Sequence, residues 1–132
     1  MGHTRQLKNL LGYTPVLPTE EDLDIEKVVV RYHPDADTLY VHFYGLGQPA
    51  VSVDLNEYLY VRVNDETRRV IGIQIEGYLE FAVRDDPRWL DWAELAGIDP
   101  AEIERVRAEI SLDKKRAAAL QATFDELQLA TA

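Results

Sequence analysis

The chain reads as an α+β protein: a four- to five-stranded antiparallel β-meander with C-terminal helices packed on one face. Three observations predict this. Between residues 27 and 76 apolar and polar side chains alternate in short β-branched runs. Turn-forming Pro, Gly, Asn and Asp residues separate those runs by only a few positions, too few for the crossovers a parallel sheet needs. Beyond Asp86 the apolar spacing changes to three and four, and each change is announced by a helix-start signature.

The first 25 residues read as an arm or linker, with residues 26–132 forming one domain (sheet 26–83, helices 86–97 and 100–128). Leu7, Leu10 and Leu11 have helical spacing for a turn or two, and Gly12 stops them. Pro15 and Pro18 impose extended backbone. Glu20, Glu21, Asp22, Asp24 and Glu26 form an acidic run, readable as a solvated connector or as a docking segment for a basic partner.

Lys27 to Tyr32 is the first strand, His33-Pro34-Asp35-Ala36-Asp37 a turn, and Thr38 to Tyr44 the returning strand. Gly45-Leu46-Gly47-Gln48-Pro49 breaks the chain before a short strand at Ala50 to Val53. Tyr58 to Val63 and Arg69 to Ile75 follow, joined by Asn64-Asp65-Glu66-Thr67. Alternation places Leu39, Val41, Phe43, Leu59, Val61, Val63, Ile71, Ile73 and Ile75 on one face. Such a face needs a cover, and only helices remain to supply it. Asp86-Pro87 opens one through Trp89, Leu90, Trp92 and Leu95, ended by Gly97. Asp99-Pro100-Ala101-Glu102 is an N-cap, a proline at the first helical position and a capping-box glutamate. Ile103, Val106, Ile110, Ala117, Leu120, Phe124 and Leu127 then recur at three-four spacing, interrupted by Asp113. They fit either one helix from Pro100 to about Leu127 or two meeting near Ser111. They would lie on the aliphatic face or form a seam with a second chain.

Composition narrows the function classes. The 132 residues carry 14 basic and 24 acidic groups, a net charge of −10, with no cysteine. The charge divides evenly: residues 1–84 hold 8 basic and 13 acidic groups, residues 85–132 hold 6 and 11, so each part stands at −5. Nucleic-acid binding draws most of its affinity from phosphate neutralisation, so this balance predicts no nucleic-acid partner, and no anionic membrane surface either. Without cysteine there is no disulfide, thiolate metal site or catalytic thiol, which fits a cytoplasmic protein. The opening Met1-Gly2-His3-Thr4-Arg5-Gln6 lacks the apolar core of a signal peptide.

The segment from about 28 to 76 resembles the small prokaryotic domain-of-unknown-function family 2283, whose pattern is a Tyr-Asp-Pro-x-x-Asp-x-Leu-Tyr hairpin and a later strand ending in Gly-Ile-Glu-Ile. Here these read Tyr32-His33-Pro34-Asp35-Ala36-Asp37-Thr38-Leu39-Tyr40 and Val70-Ile71-Gly72-Ile73-Gln74-Ile75. His33 and Gln74 replace the family's aspartate and glutamate, and Arg62 lies near a common aspartate. The resemblance implies a small sheet with a following helix and no established activity. It also implies occasional gene neighbours of a small toxin-like kind.

No catalytic constellation is legible, and the reading leans against an enzyme, a metal or a cofactor. His33, Asp35 and Asp37 invite a metal, but proline and two aspartates are equally what a tight turn requires. Asp54, Asn56 and Glu57, like Asn64, Asp65 and Glu66, lack the glycine and spacing of a calcium loop. Trp89 and Trp92 read as core or interface anchors. The candidate surface is the polar side of the sheet: Tyr40, His42, Tyr44, Tyr58, Tyr60 and Arg62, residue types favoured at interfaces. The bland reading of the same residues is cross-strand pairing on a half-exposed sheet. The expectation is a non-enzymatic interaction module, self-associating or binding a protein partner. Alternatives are an antidote-like partner of a basic toxin or enzyme, and a small-ligand binder or enzyme using the Tyr/His/Arg face.

Overall fold

The computed structural model describes residues 6–131; the first five residues, part of the opening read above for a signal peptide, lie outside it. Two compact units divide the chain between Ile98 and Asp99.

The first unit is built on five antiparallel strands: β1 (Val29–His33), β2 (Thr38–His42), β3 (Val51–Asp54), β4 (Leu59–Asn64) and β5 (Arg69–Glu76). Their order is β1-β2-β5-β4-β3, not one continuous meander. β1–β2 is a hairpin and β3–β4–β5 a three-stranded meander, and the two are joined where β5 pairs with β2. Burial explains the order. β5 is the longest strand and buries Val70, Ile71 and Ile75, so it gains most from neighbours on both sides. β3 has four residues, three of them exposed, and suits an edge. The left-handed glycines Gly45 (φ 84°) and Gly47 (φ 81°) let the connection after β2 carry the chain to that far edge.

Register confirms the two faces. Leu39 and Leu59 flank Ile75, and Val41 and Val61 flank Ile73. On this face Leu39, Val41, Val63 and Ile75 are completely buried. A bulge between Arg62 and Val63 leaves Ile71 without a partner in β4, while its carbonyl accepts from Phe43 N at 2.9 Å on the other side.

The cover comes from a chain of short helical turns directly after β5: a π-turn (Tyr78–Ala82), α2 (Val83–Asp85), a 3₁₀ turn (Pro87–Leu90) and α3 (Asp91–Leu95). Tyr78, Ala82, Val83, Leu90 and Ala93 are buried. The Tyr78 ring lies 5.9 Å from that of Tyr32, which shares a face with Leu39. Its hydroxyl donates to the Trp89 carbonyl at 2.6 Å, tying the π-turn to the 3₁₀ turn. Strand β5 therefore ends at Glu76, and residues up to 83 are already helical.

The arm is stitched to the sheet. Helix α1 (Leu7–Leu11) puts Leu7 and Leu11 on the Val61, Val63 and Val70 cluster. Val16 then forms a parallel bridge to Arg69, donating to the Arg68 carbonyl at 2.8 Å and accepting from Val70 at 2.9 Å. That bridge occupies the stretch of β5 that β2 is too short to reach.

The second unit is a single helix, α4 (Pro100–Thr131), which answers the question of one helix or two. Asp99 caps it, its carboxylate accepting from Ala101 N at 2.9 Å. Glu102 turns to Arg105, which also meets Glu109 at 2.6 Å. Asp113 forms an i,i+3 pair with Arg116 at 3.7 Å, so the charge interrupting the apolar stripe does not break the helix. Ile103, Val106 and Ile110 are buried, and every residue from Ser111 to Thr131 is exposed. Among the described residues no helix is long and apolar enough to cross a membrane.

Candidate functional site: the polar face of the sheet

Across the polar face one row runs Arg31, Tyr40, Gln74, Tyr60, Asp54, and the next runs Val29, His42, Gly72, Arg62, Ser52. Tyr40, His42 and Arg62 line one shallow depression of about 290 Å³ together with Arg31, His33 and Gln74.

Between His42 and Arg62 in the second row stands Gly72, in the middle of the central strand. A Cβ built there would stand 2.5 Å from the Val41 carbonyl oxygen, so the backbones approach too closely for any side chain. The gap also clears a path across β5. Neighbouring strands lie about 4.8 Å apart, so β2 and β4 are about 10 Å apart. The Arg62 side chain spans that distance over Gly72, and its Nη1 lies 3.2 Å from His42 Nδ1. Arginine only donates, so His42 Nδ1 accepts and its proton resides on Nε2. Partial burial first, then the charges of Arg62 and Arg31, hold the His42 imidazole below the ordinary histidine value. His42 is thus a neutral acceptor between two guanidinium groups.

Three aromatic rings pack against one another beside it. Tyr40 and His42 are stacked, with centroids 6.1 Å apart and planes 4° apart, and His33 meets Tyr40 edge-on at 5.2 Å. Gln74 donates to Glu76 at 3.2 Å, which fixes its amide at the border of the depression.

The other sequence-selected residues lie elsewhere. Tyr60 shares the face, between Gln74 and Asp54, outside the depression. Tyr44 sits past the end of β2, where its hydroxyl accepts from Arg69 Nη1 at 3.1 Å and its ring takes the Arg69 cation at 5.6 Å. Tyr58 is 5% exposed and belongs to the core. It precedes β4, so strand alternation does not govern it. Its ring meets Phe81 and Trp89, and its hydroxyl donates to Asp85 at 2.9 Å and accepts from Trp89 Nε1 at 3.2 Å. Burial first, then the bonds to Asp85 against the opposing Trp89 N–H, raises its pKa. Trp89 is thereby a core anchor.

Arg31, His33 and Gly72 were not placed on this surface from the sequence, where His33 was read only with Asp35 and Asp37 in the turn after the first strand. Arg31 and His33 alternate with Val30 and Tyr32, so the period-two rule applied to the first strand would have found them. The signal for Gly72 is a lone glycine inside an apolar run.

The Asp37 carboxylate is fully engaged by structure. Oδ1 accepts from the Tyr32 hydroxyl at 2.6 Å and Leu79 N at 2.9 Å, and Oδ2 accepts from Glu80 N at 3.0 Å. It caps the π-turn from the β1–β2 turn, beside the end of β5, and its carbonyl accepts from Tyr78 N at 2.9 Å. Among the described residues no three His, Cys, Asp or Glu side chains are grouped to hold a metal.

The family model described as Protein of unknown function (DUF2283) matches residues 29–77, which is the sheet from β1 to the glycine after β5. The resemblance read from the two motifs therefore holds, and the geometry gives the motifs physical content. Tyr32 and Asp37 join the hairpin to the helical turn, Leu39 is core, and Gly72 is the close approach between strands. No curated protein and no solved structure matches the chain.

Proposed function

We propose that this chain is a non-enzymatic interaction module that works as a homodimer, paired through the C-terminal half of α4. The observation that carries this reading is the apolar stripe of α4. It keeps one three-four register from Ile103 to Leu127, its first three members are buried, and it then continues into solvent. Leu120, Phe124 and Leu127 are 55–56% exposed on a segment about 30 Å long.

A second copy fits the stripe in one direction. Parallel in-register pairing sets Asp113 against Asp113 of the other chain, a like-charge contact inside the seam. Antiparallel pairing about Ala122 sets Leu120 against Phe124 and Ala117 against Leu127, and moves Asp113 out to Thr131 at the end. It also brings the cationic end, Lys114, Lys115 and Arg116, beside the anionic end, Asp125 and Glu126.

Sedimentation analysis across micromolar concentrations tests the assembly. The expected result is a dimer that Phe124→Glu converts to monomer with far-UV helicity retained. Because the chain has no cysteine, direction can be read by oxidising mixed Ala117→Cys and Leu127→Cys chains. Antiparallel pairing gives the mixed disulfide, and parallel pairing gives self-disulfides. A monomer at every concentration overturns the proposal.

A further inference from the structure

The polar sheet face carries an unneutralised cationic site in a protein of net charge −10. Among the described residues neither Arg31 nor Arg62 has a carboxylate partner; the polar partner of Arg62 is the neutral His42 ring. Isolated cations on an acidic protein are ordinarily drawn to its many carboxylates. Here the sheet prevents it, because β2, β4 and β5 present Tyr40, His42, Tyr60, Arg62, Gly72 and Gln74 to this face. The carboxylates at its margins are Glu76, which accepts from Gln74, and Asp54 on the edge strand β3.

From this arrangement we infer that the depression between Arg31 and Arg62 binds a small organic oxyanion, a carboxylate or phosphate head on a planar body. The head sits between Arg31 and Arg62, and the body lies against the Tyr40 and His42 rings.

Each part of the geometry contributes. Arg31 and Arg62 both line the depression, which places two cations about one open space. The contact with His42 aims the Arg62 guanidinium into the depression before any ligand arrives, so little side-chain freedom is lost on binding. A guanidinium carries five N–H donors, so Arg62 keeps its contact with His42 while it adds bonds to a charged acceptor, the stronger class of hydrogen bond. The stacked Tyr40 and His42 rings add an aromatic wall to the depression, and ring edges carry the positive part of the aromatic quadrupole, which favours an anionic aromatic ligand. A volume of about 290 Å³, open to solvent, suits a ligand of one ring and one head group rather than a polymer. The inference is independent of dimerisation, which uses α4.

Titrations with benzoate, phenyl phosphate, benzamide, acetate and inorganic phosphate, followed by ¹⁵N resonances of the Arg31 and Arg62 side chains and the His42 ring, test it. Benzoate or phenyl phosphate should shift all three groups together, and their ratio tells which head is preferred. Benzamide, the neutral isostere, should bind at least about tenfold more weakly, and so should the wild-type ligand to Arg62→Gln or Arg31→Gln. Arg62→Lys, which keeps the charge without the fork, should lie between. Arg68→Gln, whose guanidinium sits over Tyr13, serves as a control and should bind like the wild type. Two variants in separate strands guard against a folding defect in one, and melting curves identify it. Equal binding of benzamide and benzoate, or unchanged binding in both glutamine variants, overturns the inference. Acetate binding as tightly as benzoate overturns the role of the Tyr40 and His42 rings.

Discussion

Replacing Asp37 by alanine removes one carboxylate from three donors on two parts of the fold. The Tyr32 hydroxyl belongs to β1, and the Leu79 and Glu80 amides open the π-turn that starts the helical cover. Tyr32 and Leu79 are half-buried and Glu80 is exposed, so the amide pair is best valued as a helix cap, about 1 kcal/mol. The short hydroxyl bond to a charged acceptor adds about 1–1.5 kcal/mol. Asp37 also holds a left-handed backbone, φ 46°, which an alanine tolerates less well than aspartate, for roughly 0.5–1 kcal/mol more. Asp37→Ala should therefore cost about 3 kcal/mol. Asp37→Gly loses the same bonds but accepts the left-handed conformation, and should cost about 2 kcal/mol. Asp37→Asn keeps a neutral acceptor and the conformation, and should cost about 1 kcal/mol. Urea unfolding followed by Trp89 and Trp92 fluorescence reads these differences in the capped segment itself. With an m-value near 2 kcal/mol/M, the alanine variant should shift the midpoint by about 1.5 M. An alanine variant within about 0.5 kcal/mol of wild type would refute the assignment of Asp37 as the cap. A glycine variant as unstable as the alanine one would refute the backbone part.

Three further outcomes follow from the same geometry. Gly72→Ala places a methyl 2.5 Å from a backbone oxygen in the central pairing, and should cost at least about 3 kcal/mol in thermal unfolding while displacing the His42 ring resonances. Tyr58→Phe removes the hydroxyl that joins Asp85 to Trp89 Nε1, and should cost about 1–2 kcal/mol with a shifted indole N–H signal; an unchanged indole signal would contradict the bond. His42 should titrate below 6.5 by ring ¹⁵N shifts, and Arg62→Gln should move it upward. Above pH 6.5 the ring is neutral folded and unfolded, so it contributes nothing to pH dependence. As pH falls from 6.5 through the depressed folded value the unfolded chain takes the proton first, and stability declines over that window. A His42 midpoint at or above 6.5 would contradict the neutral-acceptor assignment.

The features legible in the sequence are those decided by neighbours along the chain. Alternation at Leu39, Val41, Leu59, Val61 and Val63 marks the buried face because side chains on a strand must alternate. Asp99 and Pro100 mark the start of α4 because the first amides of a helix lack partners within it. The three-four spacing from Ile103 to Leu127 likewise reads through Asp113, a position with its own local salt bridge. What needed the tertiary structure involves residues far apart in sequence. β5 takes the centre of the sheet because pairing on both edges buries its isoleucines, a gain no local pattern records. Asp37 looks like a turn aspartate until the chain brings back the amides of Leu79 and Glu80. Tyr58 keeps the phase of the open face, yet the residues just before a strand are not bound by its pleat, and the helical cover takes the ring inside. The candidate site follows the same logic. Its residue types were visible on β2 and β4, but the contact between His42 and Arg62 exists only because a third strand, with a glycine at the crossing, lies between them.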